Sequence, residues 1–457
     1  MAIKHKKMSH LTTESKIMEF VQERITGQLK GWIEMLKAGN LHAYEQDLWR
    51  CMKGLFNVIS EELLVDASQQ LVGPLQEHWR SKGGRKIEVR PLVFRIASGK
   101  EIEVPSPYVK AIGKEWEGSR HLLSKHWGIM GGASPGLYDK VGYCSAVGPS
   151  YNVAHQTLGK FDVTLSKSSV RAINNRLASR CSEAGEENLM LTEDESLKDK
   201  RVVISLDGGR TRSRVYNGKI NAWGNGKYDT DWIEPKLFVI DVLDDQGQPD
   251  RYREPIYGSR FAESDVIKLL ERYLRRLEIN KAKQIQILAD GAPWIWNQIK
   301  ALLIRLGVQV DRIVETLDYY HASQYVHDLV KEMPKRITES QRKNYLKEFK
   351  TWLWEGDSQR IVEKCRELYK RPGQIINRWI NYLDKHQDKM QYVEYEKNKL
   401  MCGSGIIESG IRRIINLRFK NASTFWQKET VEKLYFLRAA VLSGRWNTLM
   451  GNLTKCA

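Results

Sequence analysis

Apolar residues recur every three or four positions near the start of the chain, as in Ile17, Met18, Phe20, Val21 and Ile25, then Leu48, Met52, Leu55, Phe56 and Ile59. That period predicts helices over residues 10–80. The stretch 81–84 (Ser-Lys-Gly-Gly) breaks it. Residues 87–96 and 102–104 then read as a β hairpin turned at Ser98-Gly99-Lys100. The glycine-rich patch 128–136 reads as a loop. Between 149 and 181 the pattern suits a helix-turn-helix, with a short helix over 151–158 and a turn over 161–165. Ser166 can cap a second helix that carries Val170, Ile173 and Leu177 on its apolar side. Lys167, Arg171, Asn174, Asn175 and Arg176 occupy its other faces, as a reader of the DNA major groove requires. A helical hairpin with a basic solvated face is the alternative.

Past residue 200 the period changes. Residues 201–209 form a short apolar run that ends in Asp207 and two glycines, a buried strand presenting an acid at its carboxyl end. Residues 236–243 read as a second strand, and 264–277 as an amphipathic helix. Residues 284–290 repeat the first theme, an apolar strand closing on Asp290 and Gly291. A helix over 294–306 and a strand over 308–317 follow, the strand ending at Asp318. This order fits a mixed α/β sheet of the RNase H type. Two adjacent parallel strands would set Asp207 and Asp290 side by side at the sheet edge where open α/β proteins place their sites. Like charges at that distance repel, so the pairing becomes favourable when a divalent cation lies between them. Either Asp alone would read as a turn residue beside glycine.

Composition narrows the class. Of 457 residues, 41% are hydrophobic and 28% charged, enough apolar material for two or three cores. The basic start (Met-Ala-Ile-Lys-His-Lys-Lys) lacks the apolar stretch of a secretory signal, and no run is long enough to span a bilayer. A cytoplasmic, nucleoid-associated protein with no membrane partner is expected. The six cysteines are scattered, which argues against a zinc ribbon or a disulfide scaffold. The net charge of +17 favours a polyanionic partner, because each neutralised phosphate releases counterions. The charge is uneven. Residues 182–200 hold seven carboxylates and two lysines, which suits a DNA-repelling linker.

A third acid is best sought in the segment 401–420. Gly403 to Gly405 open it, and Ile407, Ile411, Ile414 and Ile415 form an apolar stripe with Glu408 beside it. A helix docked by those isoleucines can aim Glu408 at a metal and its arginines at phosphates.

These residues resemble insertion-sequence transposases of the DDE type, especially the mutator-like and related bacterial families. The resemblance spans 201–440 and rests on SLDGG, LADGAPWIW, LDYYH and GSGIIESGIRRIINLRFKNASTFW, the last being the most specific. It implies that Asp207, Asp290 and Glu408 are the catalytic metal ligands, holding two Mg²⁺ ions, with Mn²⁺ able to substitute. Asp318 and His321 look like the (Cys or Asp)-x-x-His motif that follows the second catalytic Asp. His321 then contacts DNA or a phosphate, or fixes the strand end, the structural role being favoured, and Asp318 is the fallback third acid. The gap from Asp290 to Glu408 resembles the all-helical insertion that some such enzymes carry. Trp352, Trp354 and Trp379 within it read as core residues.

The expected fold is therefore an α/β RNase H-like catalytic core with an all-helical insertion, plus a mainly α N-terminal DNA-binding region. Its parts are a helical region over 1–85, then the hairpin, helix-turn-helix and acidic linker over 86–200. The first part of the core covers 201–322, the insertion 323–398, and the return helix with Glu408 and a basic tail 399–457. The expected function is binding of the ends of a mobile element and metal-dependent phosphodiester hydrolysis and strand transfer. Double-stranded DNA, both terminal repeats and target, is the expected partner, engaged by a homodimer or higher oligomer. Lys167, Arg171, Asn175, Arg412, Arg413, Arg418, Lys420 and Trp426 are the expected DNA contacts. The alternatives are a transposase-derived DNA-binding or regulatory protein without catalysis, and an RNase H-like structure-specific nuclease.

Overall fold

The computed structural model describes residues 12–84, 87–110, 119–420 and 425–455. The basic first seven positions, and positions 421–424 of the Glu408 segment, lie outside them. The chain divides into two compact units, residues 1–177 with 453–457 and residues 178–452.

In the first unit the opening period produces two helices, Thr13–Lys37 and Leu41–Ser81. Gly39, at φ +72°, turns the chain between them, and the Asn40 side chain accepts from the Ala43 amide to cap the second. Trp32, Cys51 and Leu55 bury the seam. The expected hairpin is present as β1 (Ile87–Arg95) and β2 (Glu101–Lys110), with Gly99 at φ +85° in its turn; β3 (Ser119–His121) adds to its edge. Its apolar face packs on Leu64, Val65, Leu71 and Leu75 of the long helix. The glycine-rich patch is a loop only as far as Ser134, whose side chain caps a helix over Pro135–Val147. Tyr151–Lys160 and Lys167–Ala184 form the two expected helices, and Ser166 Oγ accepts from the Ser169 amide at 3.1 Å.

The second unit is built on a five-stranded sheet. Its strands are β4 (Arg201–Gly208), β7 (Lys236–Leu243), β8 (Ile256–Arg260), β9 (Gln284–Ala289) and β10 (Ile313–Leu317), while β5 (Thr211–Ile220) and β6 (Gly226–Ile233) form a separate two-stranded ribbon. The order across the sheet is β10-β9-β4-β7-β8. β4, β7 and β8 run antiparallel to their neighbours in that succession, whereas β9 lies parallel to both β4 and β10. Residues 202–206 are all buried, as expected of a central strand covered on both faces. Glu263–Arg276 packs on β7 and β8, and Gly405–Gly410 on β7 and β4. The expected helix after Asp290 is two short pieces, Pro293–Trp296 and Ile299–Arg305, and the expected strand over 308–317 shortens to β10 behind a turn at Val310–Arg312.

The stretch 319–397 is helical throughout its named elements, Tyr319–Lys331, Glu339–Trp354, Ser358–Leu368, Gln374–Lys385 and Tyr392–Lys397. They share a core of Val326, Leu329, Phe349, Leu353, Ile361 and Leu383, against which Trp352, Trp354 and Trp379 pack. Among the described residues no helix is long and apolar enough to cross a membrane.

The acidic stretch 182–200 is not a solvated linker. Leu189, Met190, Leu191 and Leu197 are buried, and three of its acids pair with distant arginines: Glu186 with Arg260 at 2.7 Å, Glu187 with Arg272 at 3.0 Å and Glu195 with Arg445 at 2.7 Å. Arg445 also donates to the Met190 and Glu254 carbonyls. Both members of the Glu195–Arg445 pair are nearly enclosed, so Arg445→Ala strands a carboxylate away from water. We expect it to cost about 3–5 kcal/mol in denaturant unfolding. A loss below ~1 kcal/mol would show that solvent reaches Glu195.

Asp241 is another buried acid. It lies on β7 at 6% exposure, where burial pushes its carboxyl up to about 6, Asp250 and Glu254 add to the rise, and the Val242 amide opposes it. A carboxyl whose folded pKa exceeds its unfolded 3.8 penalises the fold as pH rises through that interval, fully so above about 6. Asp241→Asn removes the penalty. The variant should match wild type near pH 4 and gain up to about 3 kcal/mol by pH 7; paired urea titrations at the two pH values measure the difference.

Candidate active site

The parallel register sets Arg201 opposite Gln284 and Leu206 opposite Ala289, so the next residues along, Asp207 and Asp290, emerge side by side at the carboxyl ends of β4 and β9. Each is fixed by a local amide. Asp207 Oδ1 accepts from Gly208 N at 2.6 Å, and Asp290 Oδ1 accepts from Ala292 N at 3.0 Å. Trp296 Nε1 donates to the Asp290 carbonyl at 2.7 Å and ties the following helix to the strand end. Burial pushes the Asp207 carboxyl up to about 6, and the Asp290 charge adds to the rise; the Gly208 amide and His321 oppose it. Lys236, opposite Gly208 on β7, lies with Nζ 5.4 Å from the Trp294 ring centroid.

β10 delivers Asp318 to the same edge. Asp318 is fully buried and gathers four donors: the Tyr320 amide at 2.9 Å, His321 Nδ1 at 2.7 Å, Ser404 Oγ at 2.6 Å and the Ser404 amide at 3.4 Å. Burial alone would raise its carboxyl, but these bonds hold it below the usual range. The Asp318 bond, outweighing the opposing effect of burial, lifts His321 to about 9, and the Asp290 and Asp207 charges add to this. His321 is therefore an imidazolium at neutral pH, a positive charge facing the carboxylate pair. Asp318 orients it and also ties β10 to the Glu408 segment.

Glu408 lies on the helix Gly405–Gly410, which Ile407 anchors to the core; the helix continues with wider π-type winding over Ile411–Asn416. Ile411, Ile414 and Ile415 are buried as the stripe predicts. The Glu408 side chain is exposed, and Oε1 is 3.4 Å from Ser404 Oγ, whose shorter bond goes to Asp318. Glu408 is thus one hydroxyl away from Asp318. Among the described residues, no three His, Cys, Asp or Glu side chains are grouped closely enough to hold a metal ion.

Beside Asp290 a cavity of about 430 Å³ opens between the strand end and the helix Gln374–Lys385. Arg378 and Lys385 supply positive charge to its lining, Asn381 an amide, and Tyr325 and Tyr382 two rings 4.1 Å apart. Burial, then Lys385 and Lys389, push His386 down to about 4, which leaves it neutral. The cavity was not legible in the sequence, because its cations come from the helical segment and its acid from the sheet.

The other residues singled out from the sequence divide by exposure. Lys167 and Arg171 are exposed on their helix, whereas Asn175 is half-buried and accepts from the Tyr151 hydroxyl at 3.3 Å. Asn174, expected on a polar face, is fully buried and donates to the same hydroxyl at 3.1 Å. Arg412 and Lys420 are exposed; Arg413 is half-buried and donates to Tyr257 Oη at 2.7 Å. Arg418 and Trp426 are interior residues at 0% and 7% exposure, the guanidinium 5.4 Å from the indole centroid. Trp426 also exchanges backbone hydrogen bonds with β5 at Arg212 and Arg214.

No family model and no curated protein matches the chain. Among solved structures it is similar to the Drosophila P element transposase strand transfer complex, at 14% identity over 70% of this chain and 81% of that one, with a TM-score of 0.25. A crystal structure of NurA with manganese is similar at 11% identity over 63% and 66% of the two chains, with a TM-score of 0.08. Likeness of this degree leaves the chemistry to be argued from the carboxylates themselves.

Proposed function

We propose that the second unit is an RNase H-like DNA-processing core which cleaves phosphodiester bonds and transfers strands, as a transposase does. The observation that carries this reading is the juxtaposition of Asp207 and Asp290 on adjacent parallel strands. Three successive antiparallel strands followed by two parallel ones support the fold assignment. The donor chemistry fits a divalent cation, because two hard oxygen ligands are held together in a desolvated spot where one resists ionisation. Asp207 and Asp290 would hold Mg²⁺ or Mn²⁺, and the exposed Glu408 side chain, not grouped with them here, would have to reach in from its helix to complete the set. When bound, such ions activate a water or a 3′-hydroxyl and neutralise the leaving oxygen.

The remaining steps belong to the chain. Arg378 and Lys385 offer phosphate contacts in the cavity beside Asp290. Asp318 keeps His321 protonated and oriented, so the imidazolium adds a donor and a positive charge where phosphate negative charge accumulates. Asp318 itself is saturated by its four donors, which favours Glu408 over it as the third acid. The terminal repeats would be read by the first unit, through the exposed Lys167 and Arg171.

The test is cleavage and joining of labelled duplex DNA carrying the element end, in Mg²⁺, Mn²⁺ or EDTA. Metal-dependent nicking and joining support the proposal. Binding without cleavage under every metal condition would instead favour a DNA-binding relative without catalysis.

A further inference from the structure

Between Asp207 and β7 the chain makes a detour that the catalytic reading does not use. β5 and β6 form a ribbon of two strands apart from the main sheet. Its base is tied down, where Trp426 bonds to the backbone of Arg212 and Arg214 and Phe425 lies 5.9 Å from the Tyr228 ring, yet the ribbon leaves much of its apolar surface uncovered. Tyr216 is 64% exposed, Ile220 65%, Trp223 83% and Trp232 48%. Single exposed apolar residues are ordinary, but a contiguous run of them marks an interaction surface.

Regular pairing sets Tyr216 and Trp232 on one face, and the register shifts between Tyr216 and Ile220 before the tip that carries Trp223. The register pairs Arg212 with Trp232, Arg214 with Thr230 and Tyr216 with Tyr228, which places these six residues on one face. Along it the Arg212 guanidinium lies 4.9 Å from the Trp232 centroid and Arg214 4.5 Å from Tyr228. Asp229 and Asp231 pair with Val215 and Ser213 on the opposite face. Charge is thus segregated, guanidinium and aromatic rings on one side and carboxylates on the other. At the tip, Asn221 Oδ1 accepts from the Trp223 and Asn225 amides at 3.0 and 2.9 Å, and Gly224 turns at φ +75°. The indole therefore projects from a hydrogen-bonded turn, with Lys219 and Lys227 exposed beside it. At the other end, Gly208 and Gly209 join the ribbon directly to Asp207.

We infer that the aromatic–guanidinium face of the β5–β6 ribbon, with Trp223 at its tip, grips an unpaired DNA strand leading to the carboxylate pair. Alternating rings and cations suit a single strand, because every base has a face for stacking and every linkage a charge. A duplex keeps its base faces stacked inside the helix, so it offers exposed rings no stacking partner along its length. The choice of DNA rests on the proposed function; the single-strand chemistry rests on the ribbon alone.

The experiment is fluorescence anisotropy of the full chain in EDTA, with a labelled oligothymidylate and a duplex of equal length. The Trp223→Ala/Tyr216→Ala double variant should bind the single strand at least about tenfold more weakly and the duplex less than about threefold more weakly. Trp223→Phe should restore most of the affinity, and Arg214→Gln should lower the salt dependence by about one counterion. Both positions are exposed, so unfolding temperatures should not move. Unchanged single-strand affinity in the double variant overturns the inference. So does a wild-type dimer that Trp223→Ala dissociates, since the ribbon would then be covered by a second copy. The two readings fail separately. A chain that never cleaves but loses single-strand binding with the double variant keeps the ribbon and drops the nuclease. A chain that cleaves while the double variant binds as wild type does the reverse.

Discussion

Asp207→Asn and Asp290→Asn should each lower cleavage of element-end DNA by at least about a thousandfold, with DNA affinity in EDTA retained. A metal's charge stabilisation in the transition state amounts to several kcal/mol, and about 4 kcal/mol corresponds to three decades of rate. Either amide keeps the shape of the carboxylate but offers a neutral, weaker ligand. The stability readout runs the other way, which separates loss of chemistry from loss of fold. Asp207 is desolvated and faces Asp290, so its amide removes a buried like charge and should raise the unfolding temperature in EDTA. Wild type should recover the difference on adding Mg²⁺, because an ion that binds only the folded state stabilises it. Rates within threefold of wild type in either variant would remove the pair from catalysis.

What the sequence disclosed about this centre follows from the kind of signal each element carries. β4 and β9 are short apolar runs closing on Asp-Gly, and burial on both faces demands that composition. The Ile407–Ile411–Ile414–Ile415 stripe likewise survives intact, because a helix docked on a sheet needs one apolar side. The acidic stretch was misleading for the opposite reason. Three of its seven carboxylates pair with Arg260, Arg272 and Arg445, which lie 74, 85 and 250 residues further along the chain. No local pattern reveals such partners. The burial of Arg418 and Trp426 escaped in the same way, since a charged residue in a basic segment reads as surface until its aromatic neighbours are known. The ribbon escaped because both its faces are largely exposed, so it lacks a buried alternation. Arg212, Arg214 and Tyr216 at every second position, with Asn217-Gly218 and Asn225-Gly226 as turn signals, would have indicated it.

The third acid is decided by comparing Glu408→Gln with Asp318→Asn. Glu408 is exposed and accepts one long bond, so the amide should leave the unfolding temperature within ~1 °C of wild type. Cleavage should nevertheless fall about a hundredfold or more, with the Mg²⁺ midpoint moved to higher concentration, because a ligand that completes the set has lost its charge. Asp318→Asn should show the reverse balance. The buried amide cannot accept from the Tyr320 amide, His321 and Ser404 as the carboxylate does, and two or three charge-assisted bonds weaken together. A stability loss of about 2–4 kcal/mol is expected, with His321 titrating nearer its ordinary range in NMR spectra. Activity should fall less than in Glu408→Gln when both are assayed well below their unfolding temperatures. If Glu408→Gln instead cleaves like wild type while a folded Asp318→Asn protein is inert, Asp318 is the metal ligand. The Glu408 helix would then serve only to carry Ser404 to it.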